Sequence, residues 1–144
     1  MFYDGDRNAT PYFLMPDADK IFLLNEEKMQ FVGESLKYSP KTKQSPMPSR
    51  FTSVQLKSND EIYLVGGVVQ TNDPRDFLLV PNCKSIDADL QVRERAPMWE
   101  PRCSTPLALV HDKWILAIGG LVGRTQATDI VSLYDTKQDV WHKC

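Results

Sequence analysis

Two apolar stretches of this chain end in a pair of glycines, and they do so at a fixed offset. Residues 61–67 read EIYLVGG and residues 114–120 read WILAIGG, so Gly66 and Gly119 stand 53 residues apart. One such ending marks a tight turn. Two at one offset mark a repeated unit, and a repeat governs every later assignment. A shift of 53 residues places Tyr63, Val65, Gly66 and Gly67 on Leu116, Ile118, Gly119 and Gly120, and Pro48 on Pro101. It also places Asp76–Asn82 on Asp129–Asp135, while a one-residue slip aligns Arg50 with Arg102. The N-terminal stretch carries the second half of the same unit. Leu24-Asn25 matches Tyr134-Asp135, and Phe31 matches Trp141, each six residues after the Asn or Asp. No Gly-Gly precedes that stretch; its place falls near Asn8-Ala9-Thr10.

Each unit reads as a small antiparallel sheet, because short apolar runs alternate with turn residues and no long segment shows a 3.6-residue period. In the last copy the expected strands are 107–110, 114–118, 130–134 and 140–142, with a tight turn at His111-Asp112-Lys113. The middle copy is expected to repeat them at 52–56, 62–65, 77–80 and 90–93, with about two extra residues in its last hairpin. The double glycines then mark where a buried strand leaves its sheet, a place that excludes a Cβ or needs positive φ. Two unrelated hairpin ends would also give Gly-Gly twice. A phosphate cradle at Gly119–Gly123 is disfavoured, because the following RTQATDIVSLYD is a strand pattern and supplies no helix N-terminus for an anion.

The combination resembles the kelch repeat: a period near 50, a double glycine after an apolar strand, Tyr-Asp before a turn, and Trp six residues later. The last copy carries the full set as Gly119, Gly120, Tyr134, Asp135 and Trp141, with Pro97-Met98 and Arg102 upstream. The middle copy keeps Met47-Pro48, Arg50, Gly66 and Gly67. It departs from the pattern at Pro81-Asn82 in place of Tyr-Asp, and has Ala88 or Leu90 where the Trp belongs. WD40 repeats differ in their shorter period and Trp-Asp ending. The resemblance implies an all-β fold, a partial kelch-type β-propeller of about two and a half four-stranded antiparallel blades. The implied division is 1–34 as the second half of a degenerate blade, 35–47 as a Pro/Ser/Lys-rich connector, and 48–97 and 98–144 as blades. Propellers close with about four to eight blades. The expectation is therefore a part of a larger chain, a homo-oligomer, or a piece of a complex.

Composition narrows the function. A net charge of −2 and a pI near 5.7 do not fit a nucleic-acid binder. The longest apolar runs are too short for a membrane helix, and residues 1–10 lack the pattern of a secretory signal. Three widely spaced cysteines, Cys83, Cys103 and Cys144, fit reduced thiols in a cytoplasmic protein. The Asn8-Ala9-Thr10 sequon reads as unused in that setting. His111 and His142 have no Cys or His at metal spacing. Cys144 lies near His142 on a terminal strand without the setting of a nucleophile. Glu26-Glu27 sits in a hairpin turn, and Asp87 with Asp89 has nothing to orient it as an acid–base pair. No catalytic residue, metal or cofactor is expected.

A binding surface remains, since function collects on loops held by a rigid scaffold. The loops after the double glycines carry Gln70, Asn72, Asp73 and Arg75, then Arg124, Thr125 and Gln126. Arg75 and Arg124 are candidates for paired forks toward an acidic peptide. The plainer reading makes them solvated loop arginines. Trp114, Tyr134 and Trp141 are assigned to packing rather than to a ligand cage; Trp99, in the segment between units, is the aromatic expected at the surface. Lys37, Lys41 and Lys43 belong to the connector. The function expected is non-catalytic protein or peptide binding, as a scaffold or as the substrate receptor of a larger machine. The alternatives are a fragment of a carbohydrate-active or oxidase-type propeller, and a structural subunit that completes another assembly.

Overall fold

The computed structural model describes residues 12–15, 19–40 and 47–144, and every element among them is a β-strand. Asn8-Ala9-Thr10, Lys41 and Lys43 lie outside the described residues. The strands are β1 (Tyr12–Met15), β2 (Lys20–Asn25), β3 (Gln30–Ser35), β4 (Lys37–Tyr38), β5 (Thr52–Gln55), β6 (Ile62–Val65) and β7 (Val68–Gln70). They continue as β8 (Phe77–Leu79), β9 (Cys83–Ile86), β10 (Gln91–Arg95), β11 (Leu107–Val110), β12 (Trp114–Ile118), β13 (Val131–Asp135) and β14 (Val140–Lys143). The chain divides into two compact units, Met1–Leu36 and Lys37–Cys144. The fold is all-β, built from several antiparallel sheets, and the described residues form no closed propeller.

The first unit holds one antiparallel sheet, β1-β2-β3. The second holds the meander β11-β12-β13-β14, the sheet β4-β10-β9-β6-β5 and a two-stranded ribbon, β7-β8. The last meander follows the expected strands to within a residue. The turn between its first two strands is built on His111 and Asp112, both at positive φ.

The middle sheet corrects the sequence reading. Its third strand is Cys83–Ile86, and Phe77–Leu79 instead pairs with Val68–Gln70 to form the ribbon. Ile62 faces Ile86 as Ile115 faces Tyr134, so Ile86-Asp87, not Pro81-Asn82, occupies the Tyr134-Asp135 place. Val92 pairs with Ile86 as Trp141 pairs with Tyr134, so Val92 takes the Trp place rather than Ala88 or Leu90. The extra residues lie before the third strand, where the ribbon is extruded; the last hairpin is one residue shorter than its counterpart, not longer. The segment 35–47 is not purely a connector, because β4 adds in parallel to the outer edge of β10.

One hairpin recurs three times. Leu24 pairs with Phe31, Ile86 with Val92 and Tyr134 with Trp141. The next residue in each case accepts local backbone bonds: Asn25 Oδ1 from Lys28 N at 3.0 Å, Asp87 Oδ1 from Asp89 N at 2.9 Å, and Asp135 Oδ1 from Lys137 N at 2.8 Å. These side chains act as turn mimics for the backbone. Each hairpin then passes a residue in the left-handed region, Met29 (φ 50°), Leu90 (φ 65°) or Asp139 (φ 57°), before the closing strand resumes.

The core of the second unit lies between its two large sheets. Leu56, Tyr63, Val65, Cys83 and Met98 pack against Ile115, Ala117, Tyr134 and Trp141. The Tyr134 ring centroid is 4.9 Å from that of Trp141 and 5.7 Å from that of Tyr63, within the range in which tilted aromatic pairs attract. Tyr134 and Trp141 are therefore core residues, as the sequence indicated. Trp114 is not: it is half-buried on the opposite face, with Lys113 Nζ 4.1 Å above its ring.

Candidate functional site

Both double glycines sit where their strands leave the sheet, and all four residues have positive φ. A Cβ on Gly66 would run into the Arg102 carbonyl oxygen, and one on Gly67 would stand 2.6 Å from the Ser49 carbonyl oxygen. A Cβ on Gly119 would meet the Thr128 carbonyl oxygen at 2.9 Å, and one on Gly120 would meet Thr105 Oγ1. Their role is steric and conformational. The segment joining the two sheets crowds Gly66 and Gly120, the stretch before the middle sheet crowds Gly67, and the second loop itself crowds Gly119. Ser49 and Cys103 make equivalent bridges to Val68 and Leu121, so Pro48, not Arg50, stands in the place of Arg102.

Arg102 is fully buried. Its Nη1 donates to the carbonyls of Gly119 (3.0 Å) and Ile130 (2.9 Å), and its Nη2 to Ser132 Oγ (2.9 Å). Burial works against the cation and lowers its pKa, while nearby Glu100 opposes that shift. The Arg102 carbonyl accepts from Gly67 N at 2.9 Å. One residue thus anchors the last sheet with its side chain and the preceding sheet with its backbone.

Further bonds lock the same two sheets. Ala96 N donates to Asp139 Oδ1 at 2.7 Å, and the Trp141 indole donates back to the Ala96 carbonyl at 2.7 Å. Tyr134 also donates to Asp139, at 2.5 Å. Burial first, and that bond second, hold the Tyr134 hydroxyl far above its usual range. Asp112 caps the turn of the preceding sheet by accepting from Lys57 N (2.6 Å) and Ser58 N (2.9 Å). Burial opposes its charge, but these bonds outweigh it and keep the carboxyl below the ordinary range.

This frame presents the two post-glycine loops side by side. The first is the β7-β8 ribbon with its tip at residues 71–76, and the second spans 121–128. Gln70 donates to the Pro74 carbonyl at 2.9 Å and steadies the tip; Asn72 is exposed. Asp73 holds Arg75 through its Nε (3.2 Å) and Nη2 (3.3 Å), and that guanidinium with the Arg75 amide keeps the Asp73 carboxyl below its usual range. Arg124 crosses to the ribbon: its Nη2 donates to the Arg75 carbonyl at 3.1 Å, stands 3.6 Å from Asp76, and its guanidinium lies 5.4 Å from the Phe77 ring centroid. Thr125 and Gln126 are exposed, and the Gln126 carbonyl closes the second loop by accepting from Val122 N at 2.9 Å.

The structure therefore brings Arg75 and Arg124 together, but not as paired forks. Each already faces a carboxylate, and the surface is balanced in charge. Sequence reasoning missed its apolar component, Phe77 (36% exposed) and Leu78 (59% exposed), by placing those residues inside a sheet. The signal was present: Asp73-Pro74-Arg75 between two short apolar runs is a hairpin pattern.

Cys83, Cys103 and Cys144 are free thiols, and burial raises the Cys83 pKa strongly. Among the described residues, no group of three or more His, Cys, Asp or Glu side chains is placed to hold a metal ion. No protein-family model matches the chain, and a search of curated proteins finds no match.

Proposed function

We propose that this chain is a non-catalytic protein-interaction module, a kelch-type propeller segment that serves as a scaffold or substrate receptor in the cytoplasm. The observation that carries this reading is the joint surface of the two post-glycine loops. Two rigidly packed sheets hold Arg124 across the ribbon, and Phe77 and Leu78 stand exposed beside charge-balanced arginines. An apolar centre with a polar rim fits a protein or peptide partner. The recurring hairpin and the equivalent double glycines support the propeller reading, since they give the two large sheets one register.

The test is a peptide-display selection against the immobilised chain, read out with the variant Leu78→Asp and the loop variant Arg124→Glu. Recovered peptides are expected to lose at least tenfold in affinity on either change and to be unaffected by Glu27→Lys in the β2-β3 turn. Peptides insensitive to both loop changes would overturn the assignment of this surface.

A further inference from the structure

The two faces of the last meander differ in a way that identifies what covers the second one. Directly paired residues share a face. One face carries Ile115, Ala117, Ser132, Tyr134 and Trp141, all buried against the middle sheet. The other carries Val110, Leu116, Ile118, Val131 and Leu133, an apolar set flanked on the same face by Asp135 and His142. None of these five is fully buried, and Ile118 is 44% exposed.

Register equivalence gives each of them a counterpart in the middle sheet: Leu56, Tyr63, Val65, Cys83 and Ser85. Every counterpart is buried, and Val65, the equivalent of Ile118, is only 1% exposed. What buries the counterparts is the hairpin face of the next unit, with its Tyr134–Trp141 pair. The outer face of the last meander is thus built like a surface already seen to receive a hairpin face. Among the described residues there are two more hairpin faces of that type; Ile86 and Val92 of the middle sheet are already buried, which leaves the one on β2 and β3. Leu24 and Phe31 occupy the Tyr134 and Trp141 places there; Leu24 is half-buried and Phe31 is 42% exposed, against 4% for Trp141.

We infer that two copies of this chain associate head to tail, the Leu24–Phe31 face of one seated on the Leu116–Leu133 face of its partner. The contact is heterologous, so it must close on itself or propagate. The described residues of one copy form three sheets with the recurring hairpin, and those of two copies form six, inside the range of about four to eight at which such rings close. The expected product is a discrete dimer. The inference rests on the propeller reading above, but not on the loop surface.

The experiment is light scattering on the purified chain across a concentration series, with circular dichroism on each sample. Wild type is expected at twice the chain mass. Leu133→Glu and Phe31→Glu, one on each face, are each expected to give folded monomer. Mixing the two variants is expected to restore one wild-type contact and a dimer joined at that single interface. A folded wild-type monomer at all concentrations would overturn the proposal, as would a dimer indifferent to both changes. Should either glutamate variant lose its β-sheet spectrum, Leu133→Ser and Phe31→Ser give the same reading with a milder change. Failure of the loop surface would leave this mass unchanged, whereas failure of the head-to-tail contact would leave peptide binding intact.

Discussion

The middle sheet and the last sheet share a register but not a chemistry. The last sheet places Tyr134 and Trp141 in its hairpin and reaches a buried guanidinium, Arg102, to Ser132. The middle sheet has Ile86 and Val92 in the hairpin, Pro48 where Arg102 would be, and a fully buried lysine, Lys84, at the Ser132 place. Lys84 pairs with Glu94 on the neighbouring strand. Both sheets keep a buried cation in the same region. In one it arrives from the segment between sheets, in the other from a strand. Backbone positions, double glycines and the Asp turn are common to both; the side chains filling the face are exchangeable. The repeat is therefore a rule about main-chain geometry, with the cation supplied locally.

Changes at three kinds of position, a buried arginine, the double glycines and a turn aspartate, would break or sharpen this contrast. The largest effect is expected at Arg102. Arg102→Met leaves the Gly119 and Ile130 carbonyls and Ser132 Oγ without their donor in a closed environment, at about 1–3 kcal/mol for each buried unsatisfied group, for a loss of about 3–5 kcal/mol in urea-denaturation stability. Arg102→Lys is expected to recover little of that, because an ammonium cannot reproduce the forked donor set. Full recovery by lysine would erase the distinction between the two sheets.

Next are the glycines. Gly66→Ala places a methyl group against the Arg102 backbone and is expected to cost about 3 kcal/mol, above the usual strain of a non-glycine residue at positive φ. Gly119→Ala meets a carbonyl oxygen at 2.9 Å and should cost about 1–2 kcal/mol. Equal midpoints for the two variants would show that the Arg102 carbonyl gives way freely.

The smallest effect is in acid. Burial opposes the charge on Asp135, but the Gln138 and Lys137 amides and Lys113 outweigh it, so the folded pKa lies below the ordinary one. Asp87 is depressed in the same sense, burial being outweighed by the Gln91 and Asp89 amides and by Arg93. Such groups contribute stability above the unfolded carboxylate pKa, near about 4, and lose it as pH falls through the folded value. Asp135→Asn is expected to leave the turn intact and flatten the fall in urea midpoint below about pH 4. The β2-β3 hairpin, with Asn25 at that place, makes no such contribution. An unchanged acid profile in Asp135→Asn would remove Asp135 from the account.

The last sheet was legible in the sequence because its first two strands are unbroken apolar runs, its turns carry Asp and Gly, and its hairpin aromatics are large. The middle sheet misled for a physical reason. Phe77-Leu78-Leu79-Val80 is the apolar run, whereas the true third strand, Cys83-Lys84-Ser85-Ile86, holds a lysine and a serine. Hydrophobicity marked the exposed ribbon, and the main-chain bond from Gly66 N to the Asn82 carbonyl sets the actual strand entry. Arg102 was noticed only as part of a pattern, since full burial of an arginine depends on acceptors far along the chain. The polar loop residues Gln70, Asn72, Asp73, Arg75, Arg124, Thr125 and Gln126 are legible in the sequence, whereas Asp76, Phe77 and Leu78 are not. The sequence pairs Arg75 with Arg124 only as forks toward a ligand; that Arg124 binds the ribbon's own backbone is not legible, because the two are 49 residues apart and each loop reads as solvated by itself.

Arg102 also separates two boundaries that coincide in most tandem arrays. The sequence period can be cut ahead of residue 98. The folded structure cannot be cut there. The carbonyl of Arg102 completes the exit of the sheet before it, and its guanidinium completes its own sheet. A unit copied by its sequence period would leave its predecessor's Gly67 amide without an acceptor until the next copy arrived. The segment at Arg102 thus belongs by sequence to the last unit and by hydrogen bonding to both sheets, so the middle sheet is complete only with residues counted to its successor.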